Sequence, residues 1–330
     1  MRSNATSDQE SSSKSVFSNH PWQKAMQCEL DALTTQKTWP LVPLPTGHRP
    51  IGTIECYKAR SKEGIVISQR KYTLEIIDNV GYLGAQPSNF PIEVNLKLTD
   101  DQGDLLHDPE RYRRLVGQLI YLTITRSDIT YSINILSQFI YAPRKPHWDS
   151  ALRIIKYLNR SPGLGLLFSA SNSFNLKAYC DANWANCPMT RRSTTSYCVY
   201  LGNSLISWKA KKQKTVSRSS SETEYRSMAT ATCELTWLRF LLNDMQISTK
   251  LLCDNQVALH IAANPVYHES TKHIELDCHV VREKIQEGQT VTEFVPSQLQ
   301  LADVFTKAPG GNMFKDLRSK LNMLDIHAPT

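Results

Sequence analysis

From Gly163 onward the hydrophobic pattern changes its period, and this switch limits the fold more than any other feature of the chain. Four short runs rich in β-branched and aromatic residues, LGLLFSA, FNLKAYC, TSYCVYL and SLISWKA, are separated only by Gly-, Asn-, Ser- and Pro-containing breaks. They predict a meander of antiparallel strands. The pattern then alternates: a long helix from about residue 221 to 243, strand KLLC, helices NQVALHIAA and STKHIELDCHVVREKIQEG, strand TVTEFVP and a last helix LQLADVFTK. Hairpins first and βα alternation later imply an α/β fold, a mixed sheet flanked by helices.

Such a sheet gathers four carboxylates. Asp181 ends FNLKAYC, Glu224 lies in the first turn of the long helix, Asp254 ends KLLC and Asp303 opens the last helix. Isolated aspartates at strand ends are ordinarily turn residues or helix caps. A group of them, however, repels itself in a low dielectric unless cations neutralise it, which makes it a natural site for hard divalent metals with oxygen ligands. Two such metals about 3.5–4 Å apart can activate a water and stabilise the departing oxygen of a phosphodiester. Glu222 is the alternative to Glu224. The two lie two residues apart on one helix and face different directions, so only one can join the group.

Cations stand beside these acids. Lys209, Lys211, Lys212, Lys214 and Arg218 precede the long helix, and Arg191 and Arg192 fall in the first hairpin, where they could follow phosphates as readily as form a solvated loop. His268, His273, Cys278 and His279 lack CxxC or HxxxH spacing, which argues against zinc.

The preceding sequence is thinner. Residues 1–19 are Ser-, Asn- and Gln-rich with few large apolar side chains, which predicts a disordered tail. One helix follows, with Met26, Leu30 and Leu33 at helical spacing, and LVPLPTGHRP then ends it. GIVISQRKYTLEIIDNVGYL reads as a short amphipathic stretch, and residues 85–108 as a polar linker. PERYRRLVGQLIYLTI, SDITYSINILSQFI and PHWDSALRIIKYLNR predict three helices in 109–163, packed through Leu115, Leu119, Ile135 and Ile154.

Composition is permissive. The 330 residues are 41% hydrophobic and 21% charged, enough for a real core, and the formal charge of +7 suits a polyanionic partner. No long uncharged apolar run or secretory leader is evident, so neither membrane nor export is expected. The eight cysteines are scattered and mostly in apolar segments, as in a reducing compartment; the expected location is the cytoplasm or nucleus.

YCDANWA, TRRSTTSYCVYLGNSLISWKAKKQKTVSRSSSETEY, LLCDNQVALHIAANPVYHESTKHIELDCHVVREKI and QLADVFTK closely resemble, in order, the motifs of RNase H domains in copia-type retrotransposon Pol polyproteins. The resemblance implies an RNase H-like five-stranded mixed sheet with flanking helices over residues 164–310. It also implies a D-E-D-D centre holding two Mg²⁺ ions, or Mn²⁺, that cuts the RNA strand of RNA–DNA hybrids. Asp181, Asp254 and Asp303 match its first, third and fourth carboxylates, and Glu224 is favoured for the second. Two departures stand out: Asn183 and Asn186 replace Asp and Gly of DADWAG, which weakens any metal role for residue 183, and Ser196 replaces a Gly, which is expected to strain a turn.

PWQKAMQCELDALTTQKTWPLVPLP, GIVISQRKY and the segments of 109–163 resemble the start and the post-palm part of the reverse transcriptase of the same family. This makes 20–84 a partial, mostly helical remnant, 109–163 a connection region and 311–330 a C-terminal helix and tail. The aromatic-x-D-D palm motif is missing between them. The one adjacent Asp pair, Asp100–Asp101, lies in a polar stretch. The implied protein is an RNase H without polymerase activity, acting on hybrids alone or beside an intact reverse transcriptase. The alternative is a catalytically silent remnant that at most binds nucleic acid.

Overall fold

A computed structural model describes residues 56–325, apart from 172, 243–246, 265–273 and 309. The expected N-terminal tail and first helix, His268 and His273 lie outside the described residues.

Tyr57–Arg60 (β1) and Gly64–Ser68 (β2) form an antiparallel hairpin. Gly64 has φ +150°, and a Cβ there would run into the Phe168 carbonyl, so only glycine fits the turn. Helix α1 (Arg70–Val80) stops at Gly81, whose left-handed φ of 78° lets its amide reach the Asp78 and Ile77 carbonyls. Helix α2 (Pro109–Leu122) starts at Asp108, which caps the Arg111 amide at 3.1 Å with Pro109 just inside the first turn. Helix α3 (Thr130–Leu136) is flanked by 3-10 turns, so SDITYSINILSQFI is not one continuous helix. Helix α4 (Lys145–Arg160) completes the group.

The strand that follows, Leu164–Ser169 (β3), departs from expectation. It pairs with β2 and, on its other side, with Met323–Asp325 (β9), giving a four-stranded antiparallel sheet β1-β2-β3-β9. LGLLFSA therefore does not begin the meander. That starts at Asn175–Asn183 (β4) and continues through Thr194–Leu201 (β5) and Ser204–Lys212 (β6).

Helix α5 (Ser220–Leu241), strand Ser248–Cys253 (β7), helices α6 (Gln256–Ala263) and α7 (Glu275–Gln286) and strand Val291–Phe294 (β8) follow. The second sheet runs β6-β5-β4-β7-β8, antiparallel across its first three strands and parallel across its last three. This order, an antiparallel meander extended by two parallel strands, is the RNase H-like mixed sheet. Helix α8 (Gly311–Lys320) leads back to β9.

Strand alternation sends the two faces of the second sheet into different cores. Val199 and Tyr197 pack with Tyr225, Met228 and Leu235 of α5. Cys198, Tyr200 and Leu205 pack with Tyr112, Leu119 and Ile154 of the helical group. The helices from 109 to 160 thus form the layer beneath the sheet. Nor is 85–108 a free linker: Ile92 and Leu98 are buried, and the Ser88 and Leu106 amides bond the carbonyls of Lys156 and Pro143. The seven described cysteines are all free. Among the described residues no helix is long and apolar enough to cross a membrane.

Candidate active site

The four expected carboxylates come from four separate elements: Asp181 from β4, Glu224 from just past the first turn of α5, Asp254 from just past β7, and Asp303 from a 3-10 turn, Leu301–Phe305, rather than an α-helix. Buried hydroxyls and an amide hold these elements together. Ser227 of α5 donates to the Asp181 carbonyl at 2.9 Å. Gln300 donates to the Cys180 carbonyl, and Ser196 to the Ala302 carbonyl, both at 2.9 Å. Ser196 is a correction: it lies mid-strand in β5 opposite Asp181, fully buried, where its hydroxyl pins the 3-10 turn and strains nothing.

Asp181 and Asp303 share one cation. Lys307 Nζ lies 2.7 Å from Asp303 Oδ1 and 3.7 Å from Asp181 Oδ1, and Thr306 donates to Asp181 Oδ2. Across the group, ligand atoms of Glu224, Cys253 and Asp254 all lie within 4.8 Å of one another. Ser297 donates to Asp254 Oδ2 at 2.8 Å. Glu224 Oε2 is buried without a hydrogen-bond partner. Glu222 points elsewhere: its carboxylate accepts from the Arg218 amide at 2.7 Å and pairs with Arg226 at 2.8 Å, and its amide donates to the Ser219 hydroxyl at 3.1 Å at the start of α5.

Burial and mutual repulsion dominate the electrostatics. Burial, reinforced by Asp303, pushes Asp181 up to about 7 even though Lys307 and Thr306 pull it down. Burial, then Asp181, Cys253 and Asp254, pushes Glu224 up to about 10. Asp303 is raised as well, by burial and by Asp254, against the pull of Lys307. Burial alone would lower Lys307, but Asp181 and Asp303 hold it above its ordinary value. Such a cluster at neutral pH must carry protons or bind cations. Its oxygen donors, including the unpartnered Glu224 Oε2, fit a hard divalent ion.

Thr306, Lys307 and Ser297 were not singled out from sequence. The first two follow Asp303 by three and four residues, the spacing at which side chains meet on a helical turn, so a signal existed. The substituted asparagines have structural partners: Asn183 donates to the Thr306 carbonyl at 3.2 Å, and Asn186 accepts from Thr194 at 3.0 Å.

The expected cations divide. Lys209, Lys211, Lys212 and Lys214 line one cavity of about 310 Å³ together with Arg226 and Asp277. Lys212 also donates to Gln138 at 2.9 Å and so ties the sheet to the helical layer. Arg191, Arg192 and Arg218 are exposed and do not line it. Cys278 is buried and His279 exposed on α7, and neither belongs to a potential metal cluster among the described residues.

No protein-family model matches the chain. It is 40% identical over 271 residues to the retrovirus-related Pol polyprotein from transposon RE2 of Arabidopsis thaliana, covering 81% of this chain and 19% of that one. It is 30% identical over 278 residues to the Pol polyprotein from transposon TNT 1-94 of Nicotiana tabacum, covering 81% and 21%. The chain thus spans about a fifth of the length of these relatives. An uncharacterized mitochondrial protein of Arabidopsis thaliana is 43% identical over 175 residues, 53% of this chain and 72% of that one. Among solved structures, RNase H1 of Halobacterium salinarum gives a TM-score of 0.30 at 13% identity, over 40% of this chain and 93% of that one. The foamy viral protease–reverse transcriptase in complex with RNA/DNA hybrid gives 0.45 at 11%, over 73% and 28%. The fold assignment rests on the strand order rather than on these likenesses.

Proposed function

This chain belongs to the retrovirus-related Pol polyproteins of copia-type transposons, and on that premise we propose that it is a divalent-metal-dependent ribonuclease cutting the RNA strand of RNA–DNA hybrids. The observation that carries this reading is the surplus of carboxylate over cation at one end of the second sheet: three buried acids and the half-buried Asp254, one lysine between two of them, and a glutamate oxygen with no partner.

Asp181, Glu224, Asp254 and Asp303 would hold the ions. Two Mg²⁺ or Mn²⁺ ions, when bound, would supply Lewis-acid activation of water and charge stabilisation at the phosphodiester. The protein's own part is positional. Thr306 fixes one oxygen of Asp181, Ser297 fixes one of Asp254, and the hydroxyls of Ser196 and Ser227 set the strand and turn that carry the acids. Asp181 and Glu224, both raised by burial, would give up protons in order to hold the ions, and the half-exposed ammonium of Lys307, beside Asp181 and Asp303, would then be placed to meet a phosphate. Contacts to the 2′-OH would select RNA.

Polymerase chemistry is not part of this proposal. Asp100 and Asp101 are exposed, Asp101 accepting from Thr99 and the Asp100 carbonyl from Arg144. The palm would have to come from an intact reverse transcriptase. A second reading, a silent remnant that binds without cutting, draws on Lys307, whose ammonium already pairs with two of the four acids.

Incubation of the purified chain and of Asp254→Asn with a strand-labelled hybrid and Mg²⁺ separates the two. The nuclease reading expects RNA-strand cuts that chelation or the substitution abolishes, leaving the DNA strand whole. Tight binding of an uncut hybrid by folded wild type supports the silent remnant.

A further inference from the structure

A second strongly charged cavity lies away from the carboxylates, in the layer formed by the helices and the first sheet. It measures about 490 Å³ and is lined by Arg70 at the start of α1, Arg160 and Ser161 at the end of α4, and Lys315 and Arg318 on α8. Four cations therefore face one space, and among the described residues Asp325 is the only carboxylate lining it.

Three features suit this space to an anion. Helix α1 begins here with no side-chain cap and no acidic residue in its first turn, so the positive end of its dipole adds to the field of Arg70. Ser161 Oγ is buried without a hydrogen-bond partner, while its carbonyl is held by Arg126 at 2.9 Å. Arg70 and Lys315 are exposed and so reachable from solvent. Arg160 is steadied by a hydrogen bond to Asn89.

We propose that this cavity is a phosphate-binding site that grips a nucleic-acid backbone at a distance from the four acids. Helix α8 links the two places. It begins four residues beyond Lys307, and its ten residues span about 15 Å at roughly 1.5 Å each. That length corresponds to roughly four base pairs at about 3.4 Å per step, so one duplex can reach both ends. The proposal rests on the nucleic-acid reading above, but its readout is binding without divalent cations, so the two can fail separately.

The test measures binding of a labelled RNA–DNA hybrid two helical turns long, in chelator, over a series of salt concentrations. Wild type is compared with Arg70→Gln/Lys315→Gln and with a charge-matched control, Lys97→Gln/Arg114→Gln, all checked for equal melting temperature. The slope of log affinity against log salt should fall by about 1.8 in the cavity variant, at roughly 0.9 for each phosphate no longer neutralised, and less in the control. Equal slopes in the two variants overturn the proposal. It is also overturned if calorimetry shows cavity-dependent binding of inorganic triphosphate while the hybrid's slope is unaltered, because the occupant is then a free polyphosphate. A hybrid held with the cavity-dependent slope yet never cut removes the nuclease reading and leaves this one standing.

Discussion

Two clusters of buried ionisable groups among the described residues are treated oppositely. In the helical layer, Arg126 forks onto Asp128 at 3.0 and 2.8 Å, Tyr157 donates to the same carboxylate at 2.6 Å, and a third guanidinium nitrogen reaches the Ser161 carbonyl. Arg126 and Asp128 are both inaccessible to solvent. Burial alone would raise Asp128, but the guanidinium holds it below its ordinary value. At the edge of the second sheet the acids outnumber the cations and rise instead. A buried charge that is fully paired serves architecture; a buried surplus of one sign marks a place built to receive something.

Breaking the paired network should have the largest effect on folding. Asp128→Asn leaves Arg126 buried without its counter-ion, and a loss of about 3–5 kcal/mol is expected, read as a lower denaturation midpoint with unchanged dependence on added Mg²⁺. Asp181→Asn should cost far less in the cation-free chain, since it removes a repelling charge. If both lower stability equally, the contrast between the two regions is wrong.

The pH response sharpens the contrast with opposite signs. Folded Asp181 titrates at about 7 against an ordinary 3.8, so between those values the folded chain keeps a proton that the unfolded chain has lost. Its contribution to stability therefore falls as pH rises through that window, and Glu224, at about 10 against 4.5, extends the trend. Asp128 does the reverse: its contribution is present above the ordinary carboxylate range and is lost as pH falls through its depressed value. In chelator the chain should melt higher at about pH 5.5 than at about pH 8, with Mg²⁺ adding more stability at the higher pH and Asp181→Asn flattening the trend. A chelated melting temperature that climbs steadily from about pH 5.5 to about pH 8 contradicts this.

The smallest effect concerns Lys307. Its removal in Lys307→Met deletes a half-exposed competitor for the acids, and Mg²⁺ affinity should rise by roughly two- to fivefold, the worth of such an ion pair. Weaker Mg²⁺ binding in this variant would mean that the lysine organises the acids rather than competing for them.

The sequence made the second sheet legible because composition and order both survive in it: β4 to β6 are short β-branched and aromatic runs between breaks, and βα units follow. It also exposed the four acids, since each ends or begins an element. Partner choice was not legible. LGLLFSA reads as the same short apolar strand whether it opens the meander or joins β2 and β9, and only tertiary pairing decides. Residues 85–108 read as a polar linker, yet Ile92 and Leu98 within them are buried, and Leu98 packs into a core built by other elements. Ser196 looked like a misplaced turn residue because its acceptor, the Ala302 carbonyl, is 106 residues away in sequence.

Calorimetric titration of the folded chain with Mg²⁺, run beside Asp181→Asn and Asp254→Asn, tests the central claim most directly. The account predicts uptake of two ions per wild-type chain with release of protons, and loss of at least one ion in each variant. Wild type that takes up no Mg²⁺, or variants that bind it unchanged, would contradict it.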